Sequence, residues 1–181
     1  MIQTPQKLYL AWVGDSHAVI CKKDRKVQAV RLTQDLAEHT ANNHRELLRI
    51  YKHRGEVRTG ATLSGDKKPR VYVRGRTFPG LSVTRSLGDL LAHHIGVTSE
   101  PSVRIITLSA QQSELFLAIG TDGIWDYMSP EDLVEQVKEY GMKEIGAGSE
   151  HVSGKIRDLA LLDKSPLDDM TLIISYLKRE T

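Results

Sequence analysis

The sequence predicts an α+β fold in which antiparallel β-sheets carry helices on their outer side. Three observations carry that prediction. Short apolar runs rich in β-branched and aromatic residues, each bounded by Gly, Asp or Ser, recur along the chain as strands do. Ser129-Pro130-Glu131-Asp132 is a strong helix start, with a Ser cap, Pro in the first position and acids in the first turn. Between them, Leu115 to Met128 joins a strand to a helix through a Gly-Thr-Asp-Gly turn. Layers of this kind bury the apolar faces of sheets against each other and against helices.

Length and composition set the limits. The 181 residues suffice for one domain with a real core. Hydrophobic residues at 40% and charged residues at 27% are ordinary for a globular protein. Twenty-five basic against 23 acidic residues leave a net charge of +2, and no basic stripe is interleaved with aromatics. Nucleic acid and anionic membranes are therefore not expected partners. Cys21 is the single cysteine, so no intrachain disulfide forms and a reducing, intracellular location is expected. It follows Ala18-Val19-Ile20 and reads as a buried structural thiol. No apolar run approaches the roughly 18 residues that span a bilayer.

In chain order, Lys7 to Val13, His17 to Cys21 and Lys26 to Leu32 read as three strands of an antiparallel meander. Asn42 or Asn43 caps a helix carrying Leu47, Leu48, Ile50 and Tyr51 as its apolar stripe, and Arg54-Gly55 ends it. Glu56 to Arg76 reads as a basic surface excursion with one short strand at Val71 to Val73. Leu81 to Asp89 is helical or loop-like, with Arg85 and Asp89 able to pair with each other or with backbone groups. Leu90 to Pro101 is a loop, and its adjacent His93 and His94 point apart, which argues against a metal pair. Strands follow at Ser102 to Leu108 and Leu115 to Ile119. The helix after Pro130 buries Leu133, Val134 and Val137 and stops at Gly141. Gly146-Ala147-Gly148 is a flexible joint, and Val152, Ile156, Leu159 and Ala160 mark a second helix. Met170 to Leu177 closes the chain as a strand preceded by Asp168-Asp169.

Three carboxylates share one placement. Asp15 and Asp122 follow their strands, and Asp168 precedes one. In an antiparallel sheet the end of one strand adjoins the start of its neighbour, so the three can share one edge of the fold. Taken alone, Asp122-Gly123 is an ordinary turn dipeptide. Carboxylates gathered without basic partners instead favour a divalent cation held by oxygen ligands, Mg²⁺ or Mn²⁺. No Cys/His set for zinc, no phosphate loop with Lys and no Ser nucleophile elbow competes with this reading.

Four segments then occur in order. They are Val13-Gly14-Asp15-Ser16-His17-Ala18-Val19, Leu81-Ser82-Val83-Thr84-Arg85-Ser86-Leu87-Gly88-Asp89, Thr121-Asp122-Gly123-Ile124-Trp125-Asp126 and Asp168-Asp169-Met170-Thr171. Together they resemble successive motifs of the metal-dependent protein phosphatase 2C family, over about residues 7–177 of a single partial domain. The resemblance implies two packed antiparallel sheets flanked by helices, with the N-terminal part missing. It implies hydrolysis of phosphoserine and phosphothreonine in protein substrates by a metal-activated water, with Mg²⁺ or Mn²⁺ as cofactor. Asp122 and Asp168 match ligands of the first metal, and Asp122 also borders a third position. Asp15 matches the aspartate that reaches this third position, and Asp126 a nearby acid that orients its waters.

The departures are as informative as the matches. No Asp-Gly-His occurs, and that family motif carries the Asp bridging both metals; the family's phosphate-gripping Arg and Glu-Asp pair also lie in segments not matched here. Asp169 stands where the family has Asn, Asp35-Leu36-Ala37-Glu38 replaces Asp-His-Lys-Pro, and Arg54-Gly55-Glu56 replaces a Gly-Gly. Two functions are thus expected to compete: a Ser/Thr phosphatase of which this chain is a part, inert by itself, and a non-catalytic phosphatase-like regulatory or binding module.

Overall fold

A computed structural model describes residues 1–23, 26–33, 38–59, 68–108, 114–141, 147–163 and 168–177. In chain order its elements are β1 (Ile2–Gln3), β2 (Lys7–Trp12), β3 (His17–Lys23), β4 (Val27–Arg31), α1 (His44–Lys52), β5 (Gly55–Thr59), β6 (Pro69–Val73) and β7 (Pro79–Leu81). There follow α2 (Leu90–His93), β8 (Ser102–Thr107), β9 (Glu114–Gly120), α3 (Asp122–Trp125), α4 (Pro130–Gly141), α5 (Ala147–Asp163) and β10 (Leu172–Tyr176). The strands form a three-stranded sheet β1-β2-β8, a four-stranded sheet β10-β9-β3-β4 and a second three-stranded sheet β5-β6-β7. The α+β class with antiparallel pairing is as expected.

The chain divides into two compact units. The first comprises Met1–Leu10, Ser16–Thr33 and Arg104–Thr181. Its core lies where one face of the four-stranded sheet meets the C-terminal helices: Val19 and Cys21 of β3 and Phe116 and Ala118 of β9 pack with Ile124, Met128, Leu133, Val134, Val137, Val152 and Ile156. The period-2 alternation aims those sheet residues at the helices, while Ala18, Ile20 and Leu117 on the opposite face are also buried. Burial on both faces explains why these strands read as unbroken apolar runs. Ser129 caps α4 as predicted, its Oγ accepting from Asp132 N at 3.1 Å and donating to Asp132 Oδ2 at 2.6 Å. In α5, Val152 and Ile156 are buried, but Leu159 is 38% exposed and falls off the expected stripe. Ala147 and Gly148 belong to α5 rather than to a joint, and Gly146 lies outside the described residues.

The second unit comprises Ala11–Asp15 and Gln34–Val103. Its core is Ile50, Val71, Ala92, Ile95 and Val97. Asn43 caps α1, accepting from Arg45 N, as the sequence indicates. The buried face of that helix is Glu46 and Ile50, whereas Leu48 and Tyr51 of the expected stripe are 53% and 45% exposed. Gly96, at φ +96°, has Arg49 O 2.9 Å from where a Cβ would stand, so the α2 turn closes directly on the backbone of α1.

Three expectations need correction here. β2 and β3 lie in different sheets, so only β3 and β4 form the predicted hairpin and β2, β3 and β4 do not make a meander. Residues 60–67 of the basic excursion lie outside the described residues; its described parts belong to a sheet, β5-β6-β7, whose arginines are held locally: Arg58 lies 3.9 Å above the Tyr72 ring and donates to Arg76 O, and Arg70 donates to Gly80 O at 2.9 Å. Leu90–His93 forms a short helix within the expected loop.

Candidate metal centre

β9 and β10 run antiparallel with Gly120 opposite Leu172, so the end of one lies beside the start of the other. Asp122 follows β9 as the first residue of α3, and Asp168 stands just before β10. Thr121 ties the two ends together. Its N–H donates to Thr171 O at 3.1 Å, its Oγ1 accepts from Thr171 N at 3.0 Å, and the same hydroxyl donates to Asp169 O at 3.2 Å. Gly123 permits the close approach, because a Cβ there would stand 2.9 Å from Asp169 O and 3.1 Å from Met170 Cγ. Trp125 anchors the turn by donating from Nε1 to Gly120 O at 2.8 Å, and its ring meets His17 edge-on at 6.4 Å.

The carboxylates are oriented by backbone donors. Asp122 Oδ1 accepts from Gly123 N at 2.9 Å, and Asp168 Oδ1 from Asp169 N at 2.8 Å. Asp122 is half-buried, while Asp168, Asp169 and Asp126 are exposed. Asp126 follows one turn after Asp122, its N–H donating to Asp122 O at 2.9 Å. Oxygen-donor side chains at adjoining strand ends suit Mg²⁺, which retains several waters and takes one or two carboxylates. No group of three or more His, Cys, Asp or Glu is placed to hold a metal among the described residues. The donor set therefore fits a hard cation with water in part of its shell and does not make a closed protein cage.

Asp15 belongs to the second unit, where it follows the positive-φ turn at Gly14. This unit also contains a strongly perturbed acid, which sequence reasoning missed. Glu46 is 2% exposed, and its oxygens accept from Arg49 at 2.9 and 2.6 Å, from Arg85 at 2.7 and 3.1 Å, and from Thr84 Oγ1 at 2.7 Å. Burial pushes its carboxyl up, but the donors from Arg85, Arg49 and Thr84 prevail and bring it to about 2. Arg85 is therefore paired with Glu46 and with Glu100 O at 3.0 Å, and not with Asp89. The available signal was spacing: Glu46 lies four residues before Ile50 and hence on the same helix face. Elsewhere, burial raises the Cys21 thiol to about 11, consistent with the structural role expected of it.

Antiparallel sheets, helices packed on one sheet face and acids at adjoining strand ends define the structural class. The comparisons with known proteins place the chain within it. The family model "Protein phosphatase 2C" matches residues 1–166, and the chain belongs to this family of metal-dependent protein Ser/Thr phosphatases. Among curated relatives, probable protein phosphatase 2C 35 of Arabidopsis thaliana is 30% identical, over 96% of this chain and 53% of its own length. Probable protein phosphatase 2C 12 of Oryza sativa subsp. japonica is 30% identical over 99% of this chain and 45% of its own length. The chain thus spans about half the length of the curated relatives it matches. The fold agrees with the crystal structure of serine-threonine phosphatase 2C from Toxoplasma gondii at a TM-score of 0.82 and 20% identity, covering 95% of this chain and 55% of that one. It agrees also with a Caenorhabditis elegans sex determining protein at 0.68 and 24%, covering 95% and 37%.

Proposed function

We propose that this chain forms part of a Mg²⁺- or Mn²⁺-dependent protein serine/threonine phosphatase, in which Asp122 and Asp168 hold the cation. The observation that supports this reading is the tie between the ends of β9 and β10, which brings together the strand ends that carry Asp122 and Asp168 in a member of this family. A divalent cation bound there supplies Lewis acidity toward phosphoryl oxygens and lowers the pKa of a water. The chain's own residues bind and orient. The Gly123 and Asp169 N–H groups fix one oxygen of each carboxylate. Asp126, one turn beyond Asp122, is an exposed acid suited to orienting water. Asp15 enters the proposal on the resemblance alone.

The substrate class proposed is phosphoserine and phosphothreonine in proteins. No described helix is long and apolar enough to cross a membrane. A cytoplasmic or nuclear location fits the single buried cysteine.

The test is a Mn²⁺ titration of the 181-residue chain and of D122N and D168N, with hydrolysis of a phosphothreonine peptide measured in parallel. Binding weakened about 10-fold or more in each variant is expected. Unchanged binding in both variants removes the reading. Mn²⁺-dependent turnover abolished by D122N assigns catalysis to this chain; binding without turnover restricts the chain to holding the cation.

A further inference from the structure

Beyond Gly120↔Leu172, the ladder between β9 and β10 continues in an unusual way. Thr121 N bonds to Thr171 O, but the reciprocal donor, Thr171 N, bonds to the Thr121 side chain at 3.0 Å. That hydroxyl then donates to Asp169 O at 3.2 Å. One oxygen thus satisfies a donor and an acceptor of the segment next to Asp168, and it does so from the residue next to Asp122. From the other side, Gly123 leaves so little room that a Cβ would sit 2.9 Å from the same Asp169 carbonyl.

We propose that Thr121 is a positioning residue that sets the separation of the Asp122 and Asp168 carboxylates for a divalent cation, with the Gly123 gap as its counterpart. The proposal rests on the metal-centre reading above. A hydroxyl does this work from a single atom, accepting from one backbone group and donating to another. The same-shaped Val offers neither, whereas Ser offers both. Chelation by two side chains on different segments tolerates little drift, and residues that orient ligands typically contribute 10–100-fold to metal affinity. A merely structural hydroxyl would contribute to stability and leave affinity alone.

The experiment is a Mn²⁺ titration of the ¹⁵N-labelled 181-residue chain, following paramagnetic broadening of backbone amides, with exchange of the Thr171 N–H measured in the metal-free protein. T121V is expected to speed Thr171 exchange and weaken Mn²⁺ binding about 10-fold, and T121S to stay within about 2-fold of the parent. Faster exchange with unchanged affinity in T121V overturns the positioning role while leaving the metal centre standing. Unchanged affinity in D122N instead removes the centre itself, so the two failures are distinct. If T121V does not fold, G123A decides: it displaces the same carbonyl with the hydroxyl intact, weaker binding is expected, and parental affinity in folded G123A overturns the proposal.

Discussion

The two units treat their carboxylates in opposite ways. Glu46, in the second, is 2% exposed and bonded by two guanidinium groups and a hydroxyl, so its charge is matched inside the fold. Asp122 and Asp168, in the first, are each oriented by a neutral backbone N–H and retain solvent access. A matched, buried acid is structural: removing its charge harms the fold. An acid at a strand end with solvent access can be neutralised without leaving two buried guanidinium groups unmatched. The contrast separates two roles that the residue type alone does not distinguish.

The largest effect expected is on stability at Glu46. In E46Q, Arg49 and Arg85 lose their shared counter-charge while remaining largely buried, at 24% and 18% exposure. Breaking a buried pair in this way costs about 3 kcal/mol or more, read as the shift in urea unfolding free energy. D122N, by contrast, should leave that free energy within about 0.5 kcal/mol, as exposed or half-exposed polar substitutions generally do. Equal losses in the two variants would dissolve the comparison.

The pH dependence sharpens it. The folded carboxyl of Glu46 sits at about 2 against its ordinary 4.5. A depressed carboxyl contributes stability that is fully present above its unfolded value and is lost as pH falls toward the folded one. Between about pH 4.5 and 2 the protein should therefore lose on the order of 3 kcal/mol from this group. Urea titrations across that window should slope steeply for the parent and more gently for E46Q.

Next in size are the effects at the strand ends. D168N should reduce Mn²⁺ affinity about 10-fold or more with little change in unfolding free energy, as measured by calorimetric titration beside a urea curve. N43A, in the second unit, should change stability and leave affinity alone.

Local chemistry was legible in the sequence, and long-range pairing was not. β3, β9 and β10, the Ser129 start of α4, the Asn43 cap and the position of Asp122 at a strand end all follow from period, composition and capping within a few residues. The assignment of β2 and β3 to different sheets depends on hydrogen bonds between distant segments, which no local pattern encodes. The β5-β6 pairing was hidden because Arg58 and Arg70 stand opposite each other within it, and Arg58, which lies over the Tyr72 ring, reads in sequence as loop. Glu46 was hidden for the converse reason: a first-turn acid reads as surface, and its partner Arg85 lies far along the chain. That the end of β9 adjoins the start of β10 was foreseeable from antiparallel geometry, but the Thr121 hydroxyl bonds that join those ends were not.

The smallest effects concern the two caps, and they too differ between units. Ser129 Oγ serves one N–H in the first turn of α4 and returns a bond to Asp132, all within four residues. S129A should cost about 1 kcal/mol, the usual value for a cap. Asn43 accepts from Arg45 N and also donates from Nδ2 to Glu38 O at 3.0 Å, so it closes the approach to α1 as well as its end. N43A should therefore exceed S129A by up to about 1 kcal/mol, the net worth of one further hydrogen bond. Equal losses would mean that the Glu38 contact contributes nothing, and that the two caps differ in geometry but not in energy.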